Sequence, residues 1–341
     1  MQQQIQQQEK SLKQQQLRTI VWQNGKLSIE FPTEELHAVL DDPQVLVWLD
    51  IEGDCSLSQD MLCNVFKLEH ITVRTMCEER ERAKFVDSDN YYYLVVHGLE
   101  FDTATDEANT PKLDIVFAKN FIITNHRESL AWLDSVLETA KKNDPEEHIM
   151  SRGMPFLLLT ILDTLTDSYF PVLDDIDDLI DELEDVTVKD TSNEVQVRIF
   201  RIKRSLSQMR RVISPQVEVA NALIARTGKL IPAEAEPYFA DVHDHLIRAF
   251  EILDSYRDLM SGLLDVYLTT VSNRLNQVMK QLTIIATIFM PITFITGVFG
   301  QNFGHSPQVE YDNGYFFWLV LAFMALITFA QIWYFRHRRW I

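Results

Sequence analysis

The residues with chemistry to offer lie in an uncharged stretch. From Leu282 to Phe299 there is no Asp, Glu, Lys or Arg. At about 1.5 Å per residue that run is just long enough to cross a hydrocarbon core of roughly 30 Å. Stepping by three and four gives Asn276, Met279, Thr283, Ala286, Met290, Thr293, Gly297 and Gly300 on one side of a helix, while Ile284, Ile285, Ile288, Phe289, Ile292, Ile295 and Val298 fall mostly off it. One side is small and mildly polar; the rest suits lipid. Such a stripe fits a helix-packing seam, because small residues let membrane-spanning backbones approach. It also fits the wall of a pore built from several copies. The ending Gly300-Gln301-Asn302, with a second apolar run a short segment later, favours the pore. A ring of amide carbonyls at the mouth of such a pore can hold a hydrated cation through its waters.

The run Thr283-Ile284-Ile285-Ala286-Thr287-Ile288-Phe289-Met290-Pro291 and the Gly300-Gln301-Asn302 ending resemble the CorA family of divalent-cation transporters, two-transmembrane proteins marked by a Gly-x-Asn motif. The likeness covers most of residues 160–341. It implies a funnel-shaped homo-oligomer, a homopentamer, with an α/β cytoplasmic domain, a long-helix stalk and two transmembrane helices. It also implies a selectivity filter at Gly300, Gln301 and Asn302, with Asn302 the residue that meets the metal. Matching positions make Asn276 a polar ring near the cytoplasmic end, Met279, Leu282 and Met290 apolar constrictions, and Thr283, Thr293 and Gly297 further lining. Leu282 sits beside the helical stripe rather than on it. Many relatives have Met between the Gly and the Asn; the Gln301 found here keeps a Zn²⁺-transporting branch as the alternative to Mg²⁺ with Co²⁺ or Ni²⁺. A non-conducting membrane-tethered sensor or scaffold is the reading from another class. A helix C-cap would explain Asn302 alone but not the whole hairpin.

Composition narrows the choice further. With 31 Lys and Arg against 50 Asp and Glu, the formal net charge is −19. That argues against a nucleic-acid partner, whose phosphates need clustered basic residues, and suits attraction of cations. Cys55, Cys63 and Cys77 lack C-x-x-C spacing and read as reduced thiols. No phosphate loop and no nucleophile beside a base is present, so the expected protein is not an enzyme and needs no cofactor beyond a divalent cation as substrate and possible regulator.

The elements that must position the stripe follow in order. Residues 1–17 form a glutamine-rich tail with too little apolar surface to pack. Residues 18–150 alternate short β-rich runs with helical stretches such as Thr33–Leu40 and Ser56–Phe66, an α/β domain whose last strand is Phe121–His126. The charged run Arg74–Lys84 reads as a solvated helix face. Residues 151–235 form a hairpin of an acidic helix, with apolar Ile176, Leu179, Ile180, Leu183 and Val186 on one face, and a basic helix disturbed at Pro215 and Gly228. Residues 236–280 are a stalk whose Val242, Leu246, Ala249, Leu253, Tyr256, Met260, Leu263 and Tyr267 step as a coiled-coil seam, continuous with the first span at 281–300. One helix is therefore expected from about Ala240 through Val298.

Asp241 and His245 share a helix face, but two ligands alone do not make a zinc site. By the resemblance, Asp241 matches a stalk Asp that binds a regulatory cation against a Glu-Asp pair of the adjacent subunit. Here Arg74 and Thr75 occupy the pair's position, so that sensor is absent or moved to Glu78 or Glu79. Residues 301–314 make an external loop with Glu310 and Asp312 as outer-mouth acids. Residues 315–335 are the second span, uniformly apolar and lipid-facing, and 336–341 a basic tail. No apolar run of signal-peptide type opens the chain. Lys280 and the Arg336-His337-Arg338-Arg339 cluster place both termini in the cytoplasm of a cell whose inner membrane the protein spans.

Overall fold

A computed structural model describes residues 15–23, 25–142, 148–300 and 315–340. The chain divides into one compact unit up to Leu264 and a second from Asp265.

The first unit is built on a seven-stranded sheet. Its strands are β1 (Gln16–Gln23), β2 (Lys26–Ile29), β3 (Leu46–Glu52), β4 (Lys84–Asp87), β5 (Tyr91–His97), β8 (Lys112–Ala118) and β9 (Phe121–His126), while β6 (Glu100–Asp102) and β7 (Glu107–Asn109) pair separately. The order is β2-β1-β3-β9-β8-β5-β4, antiparallel except where β9 runs parallel to β3, Val47 opposite Phe121 through Glu52 opposite His126. Every residue of β5 is buried, as an interior strand covered on both faces requires. One face, through Val47, Leu49, Tyr93, Val95 and Val116, packs on the short helices α1 (Leu36–Leu40), α2 (Gln59–Asn64) and α3 (His70–Met76). Helix α4 (Ala131–Ala140) follows β9 and buries Leu133, Val136 and Leu137.

Three expectations change here. The first strand begins before residue 18, because Gln16 and Leu17 pair with Glu52 and Ile51 in the sheet. The charged run 74–84 is helical only to Met76. Beyond it the backbone is captured, the Lys112 ammonium taking the carbonyls of Thr75, Met76 and Glu78 at 3.3, 3.1 and 2.7 Å. The basic helix, α7 below, passes through Pro215 to Ile224, since a proline removes one helical hydrogen bond without forbidding the turns on either side.

Helices α5 (Met154–Asp167), α6 (Tyr169–Lys189) and α7 (Asn193–Ile224) come next. The acidic α6 buries Ile176, Leu179, Ile180 and Leu183 as its periodicity requires. It meets the basic α7 through Glu182, whose carboxylate is 2.9 Å from Arg198. Helix α8 runs unbroken over Glu236–Phe299. Its seam residues Val242, Leu246, Ala249, Leu253, Met260 and Leu263 are already buried within this one chain. The seam is thus a face of the unit's own helical layer, tied by Arg210 to Asp254 at 2.6 Å, rather than a bare coiled-coil surface.

Two buried ionisable groups oppose each other in this core. Burial, then the nearby Lys112, pulls the His97 imidazole down to about 4. Burial pushes the Asp114 carboxyl up to about 6, against the opposing pull of Lys112, Tyr93 and Asn125. A histidine whose folded pKa is depressed contributes stability above its unfolded pKa near 6.5, lost as pH falls toward the folded value. A carboxyl whose pKa is raised does the reverse, losing stability as pH rises through about 6. Substituting His97→Asn is therefore expected to remove a loss of about 3 kcal/mol between pH 7 and pH 4. Denaturant unfolding of both proteins across that range checks it: the gap between them must shift in favour of the variant as pH falls.

Candidate functional site

Among the described residues, three helical stretches are long and apolar enough to cross a membrane: Met154–Lys189, Ala233–Phe299 and Phe317–His337. Their apolar windows differ in what covers them, being 44%, 6% and 0% buried inside the chain. The first spends its apolar side on the unit's own core, through Leu157, Leu158, Ile161 and Leu165. The other two are bare, and such a surface needs lipid or further copies of the chain.

In the second unit, α8 continues beside α9 (Tyr315–His337). Ile284 and Phe335 are among the buried apolar residues of the pair. At one end the Lys280 ammonium donates to the Arg339 carbonyl at 3.2 Å and lies over the Trp340 ring, 5.7 Å from its centre. Further along, Gln331 Nε2 donates to the Thr287 carbonyl at 3.0 Å. Helix α9 therefore covers the side of α8 that carries Lys280, Ile284 and Thr287. At about 100° per residue the stripe of Met279, Ala286, Met290, Thr293 and Gly297 is centred about a third of a turn away. That stripe is uncovered: Met279, Leu282 and Met290 are 59%, 58% and 71% exposed, and Asn276, Thr283, Thr293 and Gly297 are exposed as well. Thr283 and Met290 form its border with α9, both lining a groove that Gln331 closes. A Cβ placed on Gly297 would meet nothing within 4 Å, so packing inside the chain does not explain that glycine. At Gly300 the amide donates to the Thr296 carbonyl at 2.9 Å and the helix ends. Gln301, Asn302, Glu310 and Asp312 lie outside the described residues.

A second group with site chemistry sits in the first unit. Asp163 and Asp167 stand one turn apart at the end of α5, and Asp241 and His245 one turn apart near the start of α8. Ligand atoms of Asp163, Asp167 and His245 all lie within 4.8 Å of one another. His245 Nδ1 is 3.5 Å from Asp167, and its Nε2 is 4.0 Å from Asp241. Nδ1 is shielded from solvent and makes no hydrogen bond. Burial and the charges of Asp167 and Asp241 raise the Asp163 carboxyl, only partly offset by His245. Two carboxylates and an imidazole facing one another offer a divalent cation a mixed oxygen and nitrogen ligand set, with Asp241 beside the other ring nitrogen. The sequence reading paired Asp241 with His245 but missed Asp163 and Asp167, whose signal was a second pair at the same helical spacing.

The positions that the missing acidic pair would occupy carry no such chemistry. The Thr75 hydroxyl donates to the Ile71 carbonyl at 2.9 Å, and Arg74 is exposed. Glu79 is engaged by Arg127 of the same chain. The thiols of Cys55, Cys63 and Cys77 are free.

An α/β unit, a helix of 64 residues whose second half is bare and apolar, and a further bare apolar helix define a membrane protein with a large globular part. The chain belongs to the family described as CorA-like Mg2+ transporter protein, whose model matches residues 43–338. It is 34% identical over 317 residues to the cobalt/magnesium transport protein CorA of Thermotoga maritima, covering 92% of this chain and 89% of that one. It is 31% identical to the putative metal ion transporter YfjQ of Bacillus subtilis, over 86% of this chain and 89% of the relative. Its fold matches the complete structure of the CorA magnesium transporter from Methanocaldococcus jannaschii, with a TM-score of 0.78 over 95% of this chain and 98% of that one, at 22% identity.

Proposed function

We propose that the chain is a passive channel that admits Mg²⁺, together with Co²⁺ or Ni²⁺, down its electrochemical gradient as a homopentamer. The observation that carries this reading is the uncharged, small and polar stripe of α8, which α9 leaves uncovered in a chain of this family. Five copies around an axis would turn the stripe into a wall: Asn276 near one end, Met279, Leu282 and Met290 as apolar constrictions that close by dewetting, and Thr283, Thr293 and Gly297 between them. With no carboxylate along it, the ion passes largely hydrated. Gly300, Gln301 and Asn302 form the filter, and Glu310 and Asp312 raise the cation concentration outside it. The relatives' names, cobalt/magnesium transport protein and metal ion transporter, support an ion as cargo rather than a reaction.

Topology follows from charge. Lys280 and Arg339 meet at one end of the helix pair, and with Arg336 and Arg338 they make that end basic, which the positive-inside rule assigns to the cytoplasm. Both termini then lie inside, and the segment 301–314 outside. Influx of Mg²⁺, Co²⁺, Ni²⁺ and Zn²⁺ into liposomes, compared in parallel, tests the assignment. Mg²⁺ must enter, and entry of Zn²⁺ alone would move the protein to a zinc-transporting branch. Chemical cross-linking must stop at five copies.

The group of Asp163, Asp167, Asp241 and His245 serves in this account as a regulatory divalent-cation site held within one chain. Burial and the like charges of Asp167 and Asp241 raise Asp163, and a bound cation relieves the repulsion. Asp163→Asn with Asp167→Asn is expected to weaken Co²⁺ binding, followed by calorimetric titration of the purified protein, at least about tenfold. Unchanged affinity would remove the site from the account.

A further inference from the structure

Pro291 stands within the apolar part of α8. Having no N–H, it leaves the carbonyl four residues earlier, that of Thr287, without its helical donor. Such a group inside a membrane must find a partner elsewhere in the protein. Helix α9 supplies one: Gln331 Nε2 donates to the Thr287 carbonyl at 3.0 Å. Gln331 is the only carboxamide or charged residue between Tyr315 and Phe335, so its place opposite the proline is not explained by a generally polar helix. The neighbouring hydroxyls stay on their own helices, Thr283 bonding Met279, Thr296 bonding Ile292 and Thr328 bonding Met324. Gln331 Oε1 is shielded and makes no hydrogen bond; the donor end of the amide is the end in use.

We propose that Gln331 is a positioning residue of the conduction helix: its amide replaces the donor that Pro291 removes, and so holds the second span against the first at the level of Met290. This rests on the channel reading for its functional consequence, though not for the contact itself. Two grooves of about 420 and 470 Å³ meet at this contact, sharing Thr283, Thr287 and Gln331. Packing there is open, and the hydrogen bond rather than side-chain volume sets the register of the two helices. Loss of the bond frees the Pro291 turn to shift the Met290 constriction, so the substitution acts on flux and not only on stability.

The test is a double-substitution cycle on the full chain in a lipid bilayer, with Gln331→Met, Pro291→Ala and both together. Methionine keeps the length of glutamine without its donor. Gln331→Met is expected to lower Mg²⁺ influx and the folding equilibrium about three- to tenfold, the size of interhelical hydrogen bonds in membranes. In the Pro291→Ala background it should change either by less than about twofold, because the substituted alanine's own N–H returns to the Thr287 carbonyl. Equal losses in both backgrounds, or none in either, would overturn the proposal. The folding readout needs no transport, so a chain that conducts nothing still tests the contact, and a chain that conducts without coupling loses only the contact. If Pro291→Ala does not assemble, Pro291→Leu, which also restores the N–H, takes its place in the cycle and is judged by the same outcomes.

Discussion

Asn302→Ala is expected to lower the initial rate of Mg²⁺ entry into liposomes by roughly a hundredfold while the protein still assembles. A cation held through its waters needs acceptors at fixed positions, and an asparagine carbonyl repeated around an axis provides them. Losing two or three such bonds, at about 1 kcal/mol each, amounts to roughly that factor. Gly300 ends the helix at a tight turn, where an added Cβ would come within 3.1 Å of the Thr296 carbonyl. Asn302→Asp separates geometry from chemistry, since it keeps the oxygen and adds a charge; some flux must survive there with altered metal preference. A scaffold whose helices only associate would tolerate Asn302→Ala, and normal flux from that variant would remove the filter from the account.

The second large effect is expected in the sheet of the first unit. Arg18→Met should destabilise the first unit by about 3–5 kcal/mol, the cost of leaving a buried charge without its partner. Arg18 on β1 reaches Asp50 on β3 at 2.9 Å, Glu52 at 2.6 Å and Asp134 on α4 at 2.6 Å. Asp50 is fully buried and also accepts from the Thr124 hydroxyl. Its remaining ionic partner would be His126, at 3.2 Å. Burial opposes the charging of His126, but the hydrogen bond to Asp50 and the Asp50 charge raise it above the ordinary range. Denaturant unfolding measures the cost, and Asp50→Asn added to Arg18→Met should recover most of it by removing the stranded charge. A loss below about 1 kcal/mol would mean that the cluster behaves as an exposed ion pair.

What the sequence could show depended on whether a feature was local. The stripe from Asn276 to Gly300 and the unbroken course of α8 were legible, because helical spacing and the scarcity of helix breakers are properties of one segment. Pro291 did not interrupt that reading, and its partner on α9 was out of reach, since Gln331 looks like a single polar blemish in an apolar span. The segment after Met76 was misread for a related reason: a run of charges carries no apolar register, and only Lys112, brought in by the sheet, explains why the backbone leaves the helix. The strand order was equally hidden. β9 lies parallel to β3 through pairings between distant residues, and no local pattern encodes them. Asp163 and Asp167 became site residues only when α5 came to lie along the start of α8 and faced His245.

A channel of the proposed kind passes a divalent cation pulled by the interior potential. Mg²⁺ entry into liposomes holding the purified wild-type chain, under an imposed K⁺ diffusion potential of either sign, is the decisive measurement. Entry is expected to rise when the interior is made negative and to fall when the potential is reversed. A well-assembled oligomer that passes no Mg²⁺ at either potential would contradict the channel reading.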